Sequence, residues 1–291
     1  MIHVFHHNDA DGFSSAAIVR RAFQEENIRY ICCNYSFPLS NYAAEIQSTD
    51  YVFIVDYSFK ANTLCELNSL LKRVGRERLV WIDHHVSSEA LINSNPELRD
   101  IKGVVDTRFS AVALAWMYFH NLPYCEESYL SCPYAVRLIS DYDTWTKSDP
   151  NSDYFDSGLN SYDLSVDSFM WNSLFENDSM VDQLISDGMA IRRYMRQYYA
   201  NKLSRYAFET TFAGYRCLAI NQKDNAGIFG DKRGMYPLCV IFQTDGGRWF
   251  YTVYSSDPMI DCSKIAERFG GGGHKGAAGF MTDKLLNEFI L

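Results

Sequence analysis

Ile2-His3-Val4-Phe5-His6-His7-Asn8-Asp9-Ala10-Asp11-Gly12 is a short apolar run that ends abruptly in imidazoles and carboxylates. Ile2–Phe5 reads as a strand, and a helical pattern follows from about Phe13 to Glu26. The same arrangement returns twice further on: Tyr51–Val55 runs into Asp56, and Leu79–Ile82 runs into Asp83-His84-His85. Ile28–Tyr35 and the weaker Gly103–Val105 are further strand candidates. Helices are expected at about 61–74, stopping at Gly75, from about Ser110, and from Glu126 to Asp141. Short β-branched and aromatic runs separated by helices of this length predict a parallel sheet with helices on both faces. In such sheets the carboxyl ends of the strands line the ligand crevice, so the acids and histidines should meet at one edge.

The rest of the chain reads differently. Residues 146–180 are Asn/Asp/Ser-rich and predicted to be irregular. Val181–Glu209 reads as one long helix carrying Arg192, Arg193, Arg196, Lys202 and Arg205, and it is taken as the connection between domains. Tyr215–Asn221, Leu238–Gln243 and Trp249–Tyr254 alternate like antiparallel strands, with Asp245-Gly246-Gly247 as a hairpin turn. Ser263–Phe269 is a short helix running into Gly270–Gly273. The expected organisation is therefore an α/β domain over 1–180, a connecting helix over 181–209 and a smaller α+β domain over 210–291.

Composition sets the outer limits. The chain has 291 residues, 47% of them apolar and 22% charged, enough to bury a sizeable core and to exclude intrinsic disorder. The longest uncharged apolar stretch, Ala111–Phe119, falls far short of the ~20 residues of a membrane span. No basic start or apolar leader is visible, and eight scattered Cys form no Cys-x-x-Cys pair, so a reducing cytoplasm is the expected location. The net charge of −9 divides unevenly: residues 1–180 carry −12 and residues 181–291 carry +3. That balance argues against tight binding of long nucleic acid and leaves short anionic substrates open.

A single Asp at a strand end is ordinarily a cap or a turn former. His7-x-Asp9-x-Asp11 with Asp56 and Asp83-His84-His85 is harder to explain structurally, because such a cluster repels itself and desolvates badly without cations. One or two divalent metals are the simplest stabiliser, and mixed His/carboxylate donors suit Mn²⁺, Fe²⁺ or Zn²⁺ better than Ca²⁺. Four consecutive glycines must also meet a geometric need, either as a hinge or as a turn whose bare amides approach an anion.

These residues carry a resemblance. His7-Asn8-Asp9-Ala10-Asp11-Gly12, Asp56, Asp83-His84-His85 and Asp141 resemble the four motifs of the DHH phosphoesterase superfamily. Gly270–Gly273 with His274, followed by Ala277-Ala278-Gly279-Phe280, resembles the signature of its DHHA1 domain. The motifs span positions 7 to 280 in the family's order. The resemblance implies a DHH domain followed by a DHHA1 domain, with the active site in the cleft between them. It implies His7, Asp9 and a bridging Asp56 on one metal ion, and Asp11, Asp56, His84 and Asp141 on a second. Asp83 would orient the histidines and His85 would face the substrate phosphate. Asp141 is preferred to Asp143 because Trp145, four residues on, matches the family's aromatic position. Gly271, Gly272, Gly273, His274 and Ser255 would bind substrate.

The implied cofactor is a pair of Mn²⁺ ions, with Mg²⁺ or Co²⁺ as substitutes. The implied activity is hydrolysis of short nucleotides by a water activated between two metals. Candidate substrates are oligoribonucleotides, linear dinucleotides such as pApA, or 3′-phosphoadenosine phosphate. Many nanoRNase-like members have an Arg-Ser pair where this chain has Tyr254-Ser255, so another cation (Lys232, Arg233, Arg248 or Lys275) would have to grip the phosphate end. No membrane partner is expected, and a homodimer is compatible with the sequence. Two alternatives remain: a pyrophosphatase or exopolyphosphatase, whose second domain lacks the Gly-Gly-Gly-His signature, and a non-catalytic nucleotide sensor.

Overall fold

The computed structural model describes residues 1–23, 27–34, 39–224 and 226–286. They form two compact units, Met1–Ile191 and Arg192–Leu291. In the first, β1 (Ile2–His7), β2 (Ile28–Cys33), β3 (Tyr51–Val55), β4 (Leu79–Asp83) and β5 (Lys102–Val105) pair in parallel in the order β2-β1-β3-β4-β5. Alternate residues of each strand enter two different cores. Val4, Phe53, Val55, Val80 and Ile82 face one; Phe5, Val52, Ile54, Leu79 and Trp81 face the other. A sheet buried on both faces is what the near-continuous apolar runs demanded.

Helices α1 (Ala10–Ala22), α2 (Ser40–Ala43), α3 (Leu64–Val74), α4 (Val86–Ser94) and α5 (Ala111–Phe119) lie between or after these strands. α1 begins earlier than its apolar pattern suggested because Asp9 caps it, its Oδ1 accepting from the Gly12 amide at 2.9 Å. The last residues of that expected helix, 24–26, lie outside the described residues, as does Tyr35 at the end of the second expected strand. The single helix expected over Glu126–Asp141 is two, α6 (Glu126–Leu130) and α7 (Tyr134–Asp143). Pro133 separates them, since it lacks the N–H that a continuous helix needs.

The stretch read as irregular contains α8 (Ser152–Leu159) and α9 (Met170–Glu176). Their polar composition concealed i, i+4 pairs, Phe155 with Leu159 and Trp171 with Phe175, all four of which are buried in the first core.

The long helix is α10 (Asp178–Tyr206), which runs on from the first unit into the second. Val181, Leu184 and Ile185 belong to the first unit's core and Leu203 to a core of the second. The second unit has one six-stranded sheet. Its strands are β6 (Ala207–Phe212), β7 (Tyr215–Asn221), β8 (Leu238–Thr244), β9 (Trp249–Tyr254), β10 (Gly272–His274) and β11 (Ala277–Thr282), in the order β10-β11-β9-β8-β7-β6. α11 (Cys262–Glu267) packs with one of its two faces.

One pair departs from the expected antiparallel pattern: β7 and β8 are parallel. The segment joining them is long enough for the crossover that a parallel neighbour requires. No helix among the described residues is long and apolar enough to cross a membrane.

Candidate metal centre

The parallel register puts the ends of three strands side by side. His6 pairs with Val55 and Val55 with Ile82, so His7, Asp56 and Asp83 leave the sheet together at its carboxyl edge. Gly12 allows the first motif to fold back over β1: a Cβ there would sit 2.3 Å from the carbonyl oxygen of His7. His7 Nδ1 lies 2.5 Å from Asp9 Oδ2 and 3.9 Å from Asp56 Oδ2. His84 Nε2 lies 3.3 Å from Asp56 Oδ1, 3.6 Å from Asp11 Oδ2 and 3.2 Å from Asp143 Oδ2.

Three groups of donor atoms, each lying within 4.8 Å of one another, could hold a metal ion: His7, Asp9 and Asp56; Asp56, His84 and His85; and Asp11, His84 and Asp143. Asp56 and His84 are each shared between two of them.

Electrostatics is consistent with a cation at this edge. Asp56 is buried, sits at φ 53°, and its Oδ2 has no hydrogen-bond partner among the described residues. Burial, together with Asp11, Asp9, Asp83 and Asp143, holds its carboxyl well above the ordinary carboxylate range. Burial and the charges of Asp11 and Asp9 push Asp143 up to about 8. Asp9 goes the other way: burial opposes its ionisation, but His7 and the Gly12 amide outweigh it and hold the carboxyl at about 2. A buried carboxylate oxygen with no donor, ringed by four more acids, fits a divalent cation and fits little else.

Asp11 is buried and committed twice over. Its Oδ2 accepts from the Ala111 amide and its Oδ1 from the Val112 amide, both at 2.8 Å, so it caps α5 from outside that helix. Asp83 is fully buried; it accepts from His85 Nδ1 at 2.7 Å and from Ser88 Oγ at 2.5 Å, the latter a partner the sequence reading missed. His85 feels burial pulling its pKa down, and the Asp83 carboxylate more than offsets that, leaving it raised.

Asp141 does not join the cluster. Its Oδ1 accepts from the Ser148 amide (2.8 Å) and hydroxyl (2.6 Å), fixing the turn after α7, and Asp143 is the α7 carboxylate that meets His84. Residues two apart on a helix, as Asp141 and Asp143 are, point ~200° apart, so both could not face the same edge. A cavity of about 240 Å³ opens beside the cluster, lined by Asp9, Asp11, Tyr142, Asp143, Phe155 and Asn160 among others.

In the second unit the glycine run is explained largely by packing. The Gly271 amide donates to Ala266 O at 2.9 Å, ending α11, and a Cβ on Gly271 would lie 2.2 Å from Gly279 O. Gly273, at φ 148°, would bring a Cβ within 2.6 Å of Ala278 Cα, whereas one on Gly272 would meet nothing within 4 Å. His274 is exposed at the end of β10.

Ser255, expected to bind substrate, is buried: its hydroxyl donates to Pro237 O and accepts from the Asp257 amide, fixing a turn. Of the cations named above, Arg233 has its guanidinium 5.5 Å from the centre of the Tyr254 ring, with a buried Nε that no acceptor reaches among the described residues.

No family model matches the chain. Among curated proteins, it is 24% identical over 319 residues to oligoribonuclease NrnB of Bacillus subtilis, covering 100% of this chain and 75% of that protein. It is 23% identical over 296 residues to the uncharacterised protein R106 of Acanthamoeba polyphaga mimivirus, covering 95% of this chain. The chain spans 66% of that viral relative's length.

Three of the solved structures similar to this chain are the following. One is a DHH domain from a protein described as a member of a family of ribosomal proteins (TM-score 0.55, 14% identity, 96% of this chain and 82% of that one). The second is a pGpG-specific phosphodiesterase of Vibrio cholerae (0.52, 12%, 97% and 94%). The third is a RecJ exonuclease bound to manganese (0.50, 17%, 97% and 86%). By these likenesses the chain has the fold of the DHH/DHHA1 phosphoesterase superfamily.

Proposed function

We propose that the chain is a metal-dependent phosphoesterase that hydrolyses short nucleotide substrates. The observation that carries this reading is the carboxyl-edge cluster itself, above all the buried Asp56 carboxylate, whose Oδ1 faces His84 and whose donorless Oδ2 faces His7. His7, Asp9 and Asp56 would hold one divalent ion, and Asp11, Asp56, His84 and Asp143 a second; manganese is the ion of choice, by likeness to the RecJ structure. Bound there, the ions would acidify a water and offset charge growing on phosphoryl oxygens.

The chain's own residues do the rest. Asp83, itself held by Ser88, fixes the His85 ring through Nδ1, so Nε2 is the ring nitrogen that would face a phosphate oxygen. Asp9 and Asp11 fix the first motif by capping α1 and α5, so the cluster is organised before substrate arrives. In the second unit, exposed His274 and the unobstructed Gly272 are the groups suited to bind substrate. The names of NrnB and of the pGpG phosphodiesterase support short oligonucleotides as the substrate class.

The test is release of mononucleotide from pApA and from a short RNA, with inorganic pyrophosphate alongside, in Mn²⁺ and in EDTA. Metal-dependent cleavage of the nucleotides is expected. Turnover of pyrophosphate alone, or binding without turnover, would replace this reading with one of its two rivals.

A further inference from the structure

The four residues after Asp143 are built in an unusual way. Two non-glycine positions there have positive φ, Trp145 at 57° and Lys147 at 51°. A bulky residue in the left-handed region is strained, and such strain persists only where the surroundings enforce it.

Here the flanks do so. The Trp145 amide donates to Tyr142 O, the Lys147 amide to Asp141 O, and Ser148 is held twice by the Asp141 carboxylate. Lys147 Nζ bonds Asp153 at 2.9 Å and lies 3.4 Å from the Tyr142 ring centre and 5.3 Å from that of Trp145. Yet Trp145 is 79% exposed, so its burial contributes little to stability in return. An exposed indole on a backbone fixed in the left-handed region, beside an ammonium, is a poor structural element and a good stacking platform.

Its position says what would stack. Two residues earlier, Asp143 belongs to the metal-binding cluster, and Tyr142 lines the cavity beside it. Trp145 follows that cluster member by two residues along the chain, so the group suited to stack on it is a flat, uncharged ring attached to a phosphate held at the cluster. We propose that Trp145 is the stacking residue for a nucleobase of the substrate, and that it makes the site selective for phosphoesters carrying a base. This rests on the phosphoesterase reading above and adds to it a residue that selects the substrate class.

The test is calorimetric titration, in the presence of Mn²⁺, of AMP and of ribose 5-phosphate, which share a phosphate and differ by the base. The wild-type protein should bind AMP about tenfold or more tighter, within the range that base–aromatic stacking provides. Trp145→Ala should bring AMP down to the level of ribose 5-phosphate and leave ribose 5-phosphate unchanged. Trp145→Phe should restore most of the preference. A residue with only a structural role would weaken both ligands alike, which would overturn the proposal, as would a wild-type protein that does not distinguish them. The two readings separate cleanly. A protein that cleaves pApA but lacks the AMP preference keeps the enzyme and loses the stacking role; one that prefers AMP but cleaves nothing does the reverse.

Discussion

Replacing Asp56 by Asn tests the centre most directly, because that carboxylate belongs to two of the three donor groups. The substitution keeps size and shape and removes the charge. In the wild-type protein, Mn²⁺ at ~100 times its dissociation constant should stabilise the first unit by ~2.7 kcal/mol. For a unit of this size that is a rise of ~5–10 °C in Tm. If the Asn side chain weakens binding ~100-fold, the same concentration leaves only ~0.4 kcal/mol, a rise of about 1 °C. In EDTA the order should reverse or level. Asp56→Asn removes a buried carboxylate that Asp11, Asp9, Asp83 and Asp143 all disfavour, so the metal-free variant should melt no lower than wild type. Differential scanning fluorimetry with and without Mn²⁺ reads both numbers. A variant that keeps the full Mn²⁺ shift refutes Asp56 as a shared ligand.

The two acids of α7 should part company. Asp143→Asn should lower metal-dependent activity by ~100-fold with little change in Tm, while Asp141→Asn should lower stability by ~1–3 kcal/mol, because one carboxamide oxygen can keep the Ser148 bonds but leaves the Asp149 amide facing a donor. Burial raises the Asp141 carboxyl, but its Ser148 hydrogen bonds prevail and hold it below the usual range, so its contribution is present above the ordinary carboxylate pKa and lost as pH falls through the folded value. The melting temperatures of wild type and Asp141→Asn should therefore differ at pH 7 and draw together as the pH falls below the ordinary carboxylate pKa. In the second unit, Gly271→Ala should cost ~1–3 kcal/mol or more because Gly279 and Phe280 leave no room, whereas Gly272→Ala should stay within ~0.5 kcal/mol of wild type by chemical denaturation.

The strand-end acids were legible because a parallel strand announces its own carboxyl end: a near-continuous apolar run gives way at once to polar residues, and the register does the rest. The choice between Asp141 and Asp143 was not. Spacing along a helix says that two residues face apart but not which of them faces inward, and that depends on how α7 packs. Gly271 and Gly273 read as a binding loop from sequence, yet their need for hydrogen in place of Cβ comes from β11, a strand whose own small residues gave little β-pattern. α8 and α9 were hidden by the Asn, Asp and Ser between their few buried apolar positions.

The double grip of Asp11 on the Ala111 and Val112 amides has a practical consequence for anyone mapping this site by mutation. An Asp11 variant would strip the buried start of a core helix of two acceptors at once, so an inactive protein there would report a loosened scaffold as readily as a missing ligand. Dead enzymes at position 11 carry little mechanistic weight until their folding has been checked.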